Sequence, residues 1–224
     1  MSTGVWKSIR AEKVNADLGS IRTNYEKWYE GETYYWGTQP AAFCDELKKI
    51  RPFPQARKVL DIGCGEGKDA VYMAKQGYEV TAFDLTENGI RKTKTLAEKS
   101  GVQINAYVDD INTFQENERF DIVYSTGTVQ YLFEENKKPF FQKIARITNA
   151  HGIVYFNVFV EKSFLELPPD WDIEEKMWKS GELFTYFADW KVHRIDETIF
   201  EDQSGGVPHY HCMDTIICEK MEKN

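Results

Sequence analysis

The stretch VLDIGCGEGKDA, residues 59–70, decides the fold. An apolar run closes on Asp61 and Ile62, and glycines then alternate at positions 63, 65 and 67. A glycine within regular structure costs about 0.5–1 kcal/mol relative to alanine, so three in five positions imply a backbone that turns sharply or lets something approach it closely. The flanking residues show what is being joined. RKVLDI (57–62) reads as a buried strand and GKDAVYMAKQG (67–77) as a short helix stopped by Gly77.

The alternation continues away from this turn. YEVTAFD (78–84) reads as a second strand, Thr86 caps a helix running to Gly101, and VQINAYV (102–108) is a third strand. FDIVYS (120–125) and GIVYFNVFV (152–160) read as further strands around the helical run KKPFFQKIARIT (137–148). Such repetition predicts an α/β fold with a mainly parallel, twisted sheet covered by helices on both faces. ELPPDW (166–171) reads as a loop, and residues 173–188 as a helix interrupted by Gly181. WKVHRIDETIF and HYHCMDTIICE, separated by EDQSGGVP, then predict a C-terminal antiparallel hairpin.

Residues 1–56 precede the first core strand and are expected to form a helical, aromatic lid, with residues 57–224 as one globular unit. In NYEKWYEGETYYWGTQP, Tyr25, Trp28 and Tyr29 fall on one helical face, Tyr34, Tyr35 and Trp36 follow, and Thr38 stands where it could cap a helix through QPAAFCDELKKI. The 224 residues suit a single domain. A net charge of −8 opposes nucleic acid and anionic membranes as partners and favours a small molecule. The opening MSTGVWKSIR has no signal-peptide core, so a cytoplasmic protein is expected, as a monomer or homodimer. Cys44, Cys64, Cys212 and Cys218 show no Cys-x-x-Cys pair, and no metal site is assigned.

Open α/β sheets bind ligands at the carboxyl ends of their strands, where the glycine turn sits. A dinucleotide turn reads G-x-G-x-x-G, whereas Lys68 stands at its third glycine. Asp84 ends the second strand, where a carboxylate can accept from a ribose diol, and Asp110 follows the third, where one can accept from an adenine amine. The pattern describes an adenosine site without a pyrophosphate.

VLDIGCGEG, FDL (83–85), DDIN (109–112) and FDIVYSTG (120–127), taken in order, resemble the successive motifs of class I S-adenosylmethionine-dependent methyltransferases. The resemblance covers roughly residues 57–160 and implies that family's Rossmann-like fold with S-adenosylmethionine as cofactor. It further implies that Asp61, Gly63, Cys64 and Gly65 surround the methionine moiety, that Asp84 holds the ribose with Leu85 under the adenine, that Asp110 and Ile111 bracket the adenine, and that Ser125 lines the site. YYWGTQPAAF (34–43) and GELFTYFADWKV (181–192) resemble, more narrowly, the tellurite-resistance and thiopurine-type small-molecule methyltransferases. The chain departs from the tellurite group's His-Arg pair after the sixth strand: Phe200, Glu201 and Asp202 stand there, with histidines later.

Methyl transfer from a sulfonium is accelerated largely by alignment, so a fixed catalytic base is optional. His209 and His211, two apart on the last strand, point to one face and can act as base, orient an acceptor or join Glu201 or Asp202 around a metal. Thr128, Gln130 and Tyr131 follow the fourth strand and are candidate acceptor contacts, with Tyr25 and Tyr29 from the lid. Trp36 is a candidate cofactor contact, since aromatic faces attract a sulfonium by about 0.5–2 kcal/mol. The expected activity is methylation of a thiol, chalcogen oxyanion or heterocycle. A nicotinamide-dependent oxidoreductase and a non-catalytic S-adenosylmethionine-binding protein are the alternatives.

Overall fold

The computed structural model describes residues 18–166, 177–203 and 206–222. The opening decapeptide and the ELPPDW loop beyond Glu166 therefore lie outside the described residues. Two helices, α1 (Leu18–Trp28) and α2 (Ala42–Ile50), precede the alternating core. Strands β1 (Lys58–Ile62), β2 (Glu79–Asp84), β3 (Asn105–Val108), β4 (Phe120–Ser125) and β5 (Thr148–Glu161) alternate with helices α3 (Lys68–Lys75), α4 (Glu87–Lys99) and α5 (Glu134–Ile147). A short strand β6 (Trp178–Lys179), a one-turn helix α6 (Glu182–Thr185) and the hairpin β7 (Lys191–Asp202) and β8 (His209–Glu219) complete the chain.

The sheet order is β3-β2-β1-β4-β5-β8-β7, with β6 pairing β5 off that path. Strands β1 to β5 pair in parallel, and β8 is antiparallel to both β5 and β7. β7 consequently runs with the core strands, so the β7–β8 connection returns to the same rim as the ends of β1, β2 and β4. The chain moves outward from β1 through β2 to β3, then crosses back to β4 on the other side of β1. That reversal opens a crevice at the end of β1.

Both faces of the sheet are covered. Successive side chains of a strand point oppositely, so Val59 joins Ala70, Met73, Ile122 and Tyr124 on one face while Leu60 and Ile62 join Phe140, Ile144 and Phe156 on the other. β1 accordingly reads as a continuous buried run from Val59 to Ile62 rather than an alternating one.

Of the segment before β1, the described residues 18–56 divide between two places. α2 belongs to the core, since Phe43 stacks on Tyr155 at 4.3 Å between ring centres and packs edge-on against Tyr124. Among the described residues before β1, those of α1 and the aromatic turn after it line the cavity. Thr38 caps nothing: α2 begins after Ala41, whose N–H donates at 2.7 Å to Asp69 Oδ1 from α3. The helix expected over 173–188 is also corrected where it is described. Trp178–Lys179 pairs with β5, and Gly181, at φ 80°, starts the four-residue α6.

Candidate active site

The glycine turn is shaped by neighbours that leave no room for side chains. Gly63, Gly65 and Gly67 all have positive φ, at 75°, 52° and 86°. A Cβ on Gly63 would lie 2.0 Å from Thr128 Oγ1, and one on Gly65 would lie 3.0 Å from the Tyr29 hydroxyl. The turn folds onto the end of β2, where the N–H groups of Gly63 and Cys64 donate to the Phe83 carbonyl at 2.8 and 2.9 Å. This presents the Gly65 N–H to Asp84 Oδ2 at 2.9 Å.

Asp84 is held by dipoles, not by a cation. Its Oδ1 accepts from the Thr86 N–H at 2.9 Å and from the Thr86 hydroxyl at 2.6 Å. With three of roughly four lone-pair sites used, about one remains for a ligand hydroxyl. Burial pushes the Asp84 carboxyl above its ordinary range. Asp61, 3% exposed at the end of β1, accepts from the Tyr124 hydroxyl at 2.9 Å, and burial followed by the nearby Asp69 charge raises its pKa well above normal. Perturbed carboxyls gathered in a cleft mark a functional site.

A cavity of about 330 Å³ lies over this turn, toward the small end of the ~300–1,000 Å³ common for ligand sites. It brings together Asp61, Gly63, Cys64, Gly65, Asp84, Leu85, Asp110 and Ile111 with Tyr25, Tyr29, Trp36, Thr128, Gln130, Tyr131 and His211. Two predicted residues lie elsewhere. Ser125 is fully buried with its hydroxyl donating to the Ile62 carbonyl at 2.8 Å, so it ties β4 to β1 below the site. His209 stands behind His211 and does not line the cavity.

The aromatic wall of the cavity is fixed by an ion pair that spacing does not reveal. Glu66 and Lys92 meet at 2.7 Å, almost wholly buried, and the other Glu66 oxygen accepts the Trp36 N–H at 3.1 Å. Trp36 Nε1 then donates to the Tyr29 hydroxyl at 2.8 Å, above Gly65. Tyr25 and Tyr131 meet hydroxyl to hydroxyl at 3.0 Å, joining α1 to the rim after β4. Burial, then the Asp84 charge, keeps the Tyr29 phenol well above its usual pKa and therefore neutral.

On the acceptor side, His209 Nε2 lies 2.9 Å from His211 Nε2, and Asp202 Oδ2 lies 3.5 Å from the same His211 nitrogen. Asp202, Asn157, Phe159 and Met213 complete the cavity wall. Asn157 Oδ1 accepts the Gly127 N–H at 2.8 Å and so sets the loop after β4. Gln130 donates Nε2 to the Gly127 carbonyl at 2.8 Å, while its buried Oε1 has no hydrogen-bond partner among the described residues. A buried acceptor lining a cavity suits a ligand donor. The glycine cradle, the carboxylates at three strand ends and this acceptor fit a nucleoside joined to an amino acid, as S-adenosylmethionine is.

The mainly parallel sheet, the crevice at β1 and the antiparallel C-terminal pair define the fold of class I methyltransferases. Comparison narrows this: the family model for tellurite resistance protein TehB matches residues 24–205, and the chain belongs to that family. The "Probable S-adenosyl-L-methionine-dependent methyltransferase TehB" of Haemophilus influenzae (strain 10810) is 30% identical over 162 residues, covering 70% of this chain and 52% of that protein. The chain thus spans about half the length of this curated relative. The crystal structure of TehB from Haemophilus influenzae superposes with a TM-score of 0.71 at 23% identity, over 89% of this chain and 66% of that one. A protein solved in work on conversion of a disulfide bond into a thioacetal group during echinomycin biosynthesis gives 0.68 at 20% identity, over 91% and 93%.

Proposed function

We propose that this protein is an S-adenosylmethionine-dependent methyltransferase whose acceptor is a small molecule: a thiol, a chalcogen oxyanion or a heterocycle. The observation that carries the reading is the cavity itself, which places the glycine turn and its buried carboxylates under one aromatic lid with a histidine wall. S-Adenosylmethionine, when bound, supplies an electrophilic methyl group on a sulfonium. Asp84 would accept a ribose hydroxyl, Leu85 and Ile111 would hold the adenine with Asp110 at its amine, and Asp61 and Gln130 Oε1 would hold the ammonium. Tyr25, Tyr29 and Trp36 exclude water and offer ring faces to positive charge.

His211 is the chain's own group on the acceptor side. The Val207 carbonyl, 2.7 Å from His209 Nδ1, holds a proton there and leaves His209 Nε2 as an acceptor toward His211. The pair can therefore take up a proton that an acceptor releases, or hold the acceptor in line. Neither alternative is favoured, because the matched family and the relatives bear methyltransferase names.

Purified protein with labelled cofactor, screened against thiols, selenite, tellurite, thiopurines and halides, tests the reading. Product with at least one class is expected, with His211→Ala slowing transfer while cofactor affinity stays nearly intact. Calorimetry showing no affinity for S-adenosylmethionine or its demethylated product would sink it.

A further inference from the structure

Asp202, His209 and His211 offer one ligand atom each within 4.8 Å of one another. We propose that they form a binding site for one divalent transition-metal ion, of which Zn²⁺ is the representative, at the acceptor end of the cavity. The site goes beyond the methyl-transfer reading and does not depend on which molecule accepts the methyl group; with the ion bound, the two Nε2 atoms are its ligands and the pair no longer serves to take up a proton.

Three features carry it. The first is spacing. Ligand atoms about 2.0–2.2 Å from a tetrahedral zinc lie roughly 3.3–3.5 Å apart; His209 Nε2 to His211 Nε2 is 2.9 Å and His211 Nε2 to Asp202 Oδ2 is 3.5 Å. The third pair, His209 with Asp202, lies within 4.8 Å, so admitting the ion means spreading the two imidazoles slightly and drawing Asp202 toward His209.

The second is the ring orientation. A histidine that ligates metal through one nitrogen generally donates the other N–H to a carbonyl or carboxylate, which sets the tautomer and strengthens the ligand. His209 already does this through Nδ1 to the Val207 carbonyl at 2.7 Å, turning its Nε2 lone pair toward His211 and Asp202.

The third is the backbone that holds the three. Asp202 and His209 are opposite partners in the β7–β8 register, and His211 follows on the same face of β8, so two paired strands hold the cluster. His211 is 2% exposed and packs against Phe159 at 4.8 Å and Phe200 at 5.7 Å between ring centres. Asp202 and His211 also line the cavity, which leaves a fourth position on that side. Three protein ligands with an open fourth position is the arrangement of reactive zinc sites rather than closed structural ones. Two imidazoles select zinc, cobalt or nickel over magnesium and calcium, which prefer oxygen ligands.

The test uses the full chain, stripped with chelator, without cofactor or acceptor. Titration with Zn²⁺ by calorimetry should give one ion per chain, and Co²⁺ should develop visible d–d bands without a near-ultraviolet sulfur-to-cobalt band. His209→Ala and Asp202→Asn, neither fully buried, should each weaken binding by at least about tenfold, whereas Tyr210→Phe, exposed between the histidines, should not. Affinity unchanged in both ligand variants, a sulfur band that assigns the ion to a cysteine, or binding weaker than about millimolar overturns the site. Because the readout is metal binding alone, it fails or succeeds separately from methyl transfer.

Discussion

Asp61 and Asp84 at one rim of the sheet and Glu219 at the other are satisfied in opposite ways. At the carboxyl ends of the core strands, Asp61 and Asp84 are bonded by a tyrosine, a threonine and backbone N–H groups, and burial raises both pKa values. At the other rim, Glu219 is ringed by Arg51 at 2.6 Å, His193 at 2.9 Å, and His151 and Lys191 at 3.1 Å each. Burial alone would raise the Glu219 carboxyl, but bonds from His193, Lys191 and His151 and the Arg51 charge bring it to about 2. Glu219 is compensated by cationic side chains of the chain itself, whereas Asp61 and Asp84 are hydrogen-bonded without a salt bridge to either among the described residues. The first arrangement closes a fold and the second opens a site.

The largest expected effect lies at the closed rim. Glu219→Gln leaves Arg51 and Lys191 without their anion while keeping the side chain's shape. Removing one partner of a buried pair can cost 3–5 kcal/mol, but Lys191 and His151 are half exposed, so a loss of about 2 kcal/mol is expected, or roughly 4–8 °C in Tm. Calorimetric melting at neutral pH measures it, and a variant as stable as the parent would erase the contrast. The wild-type pH profile adds a sign. A depressed carboxyl stabilises above its unfolded value near 4.5 and loses that contribution as pH falls toward about 2. Glu219→Gln should flatten that acid limb.

Asp84 should behave in the reverse sense. Its raised pKa favours the protonated carboxyl in the fold, so its contribution is fully present below the ordinary value near 3.8 and is lost as pH rises through the raised one. Asp84→Ala should therefore remove a loss of stability that sets in as pH rises above about 3.8. The same variant should weaken S-adenosylmethionine binding at least about tenfold, the share of a charge-assisted hydrogen bond left after water compensates. An unchanged dissociation constant would place the ribose elsewhere.

What the sequence made legible follows from how local each feature is. The glycine turn, the acids at the ends of β2 and β3, and the i, i+2 histidines all declare themselves within a few residues, because strand ends and pleat geometry are local. The placement of Ser125 beneath the cavity was not legible for a related reason: a period of two says that neighbours face oppositely but not which faces the crevice. Glu66 and Lys92, 26 positions apart, carry no pattern until α4 packs beside the turn. Asp202 joins the histidines only through the β7–β8 register, and the N-terminus of α2 is met by Asp69 from another helix, which spacing around Thr38 cannot foresee.

The smallest effect tests how the open rim is shut. Across the cavity mouth the Tyr25 and Tyr131 hydroxyls share one neutral hydrogen bond at 3.0 Å, where the opposite rim uses charged ones. A neutral bond contributes about 0.5–1.5 kcal/mol net, so α1 would be held against the rim after β4 only weakly through it. Tyr25→Phe keeps the ring packing against Trp28 and Tyr29 while deleting that bond. Dissociation of the demethylated cofactor, followed by stopped-flow tryptophan fluorescence, should quicken by roughly 2–10-fold with Tm almost unchanged. A rate identical to the parent's would mean that the lid is governed by the Glu66 and Trp36 contacts, and that the two rims differ in charge but not in how readily they open.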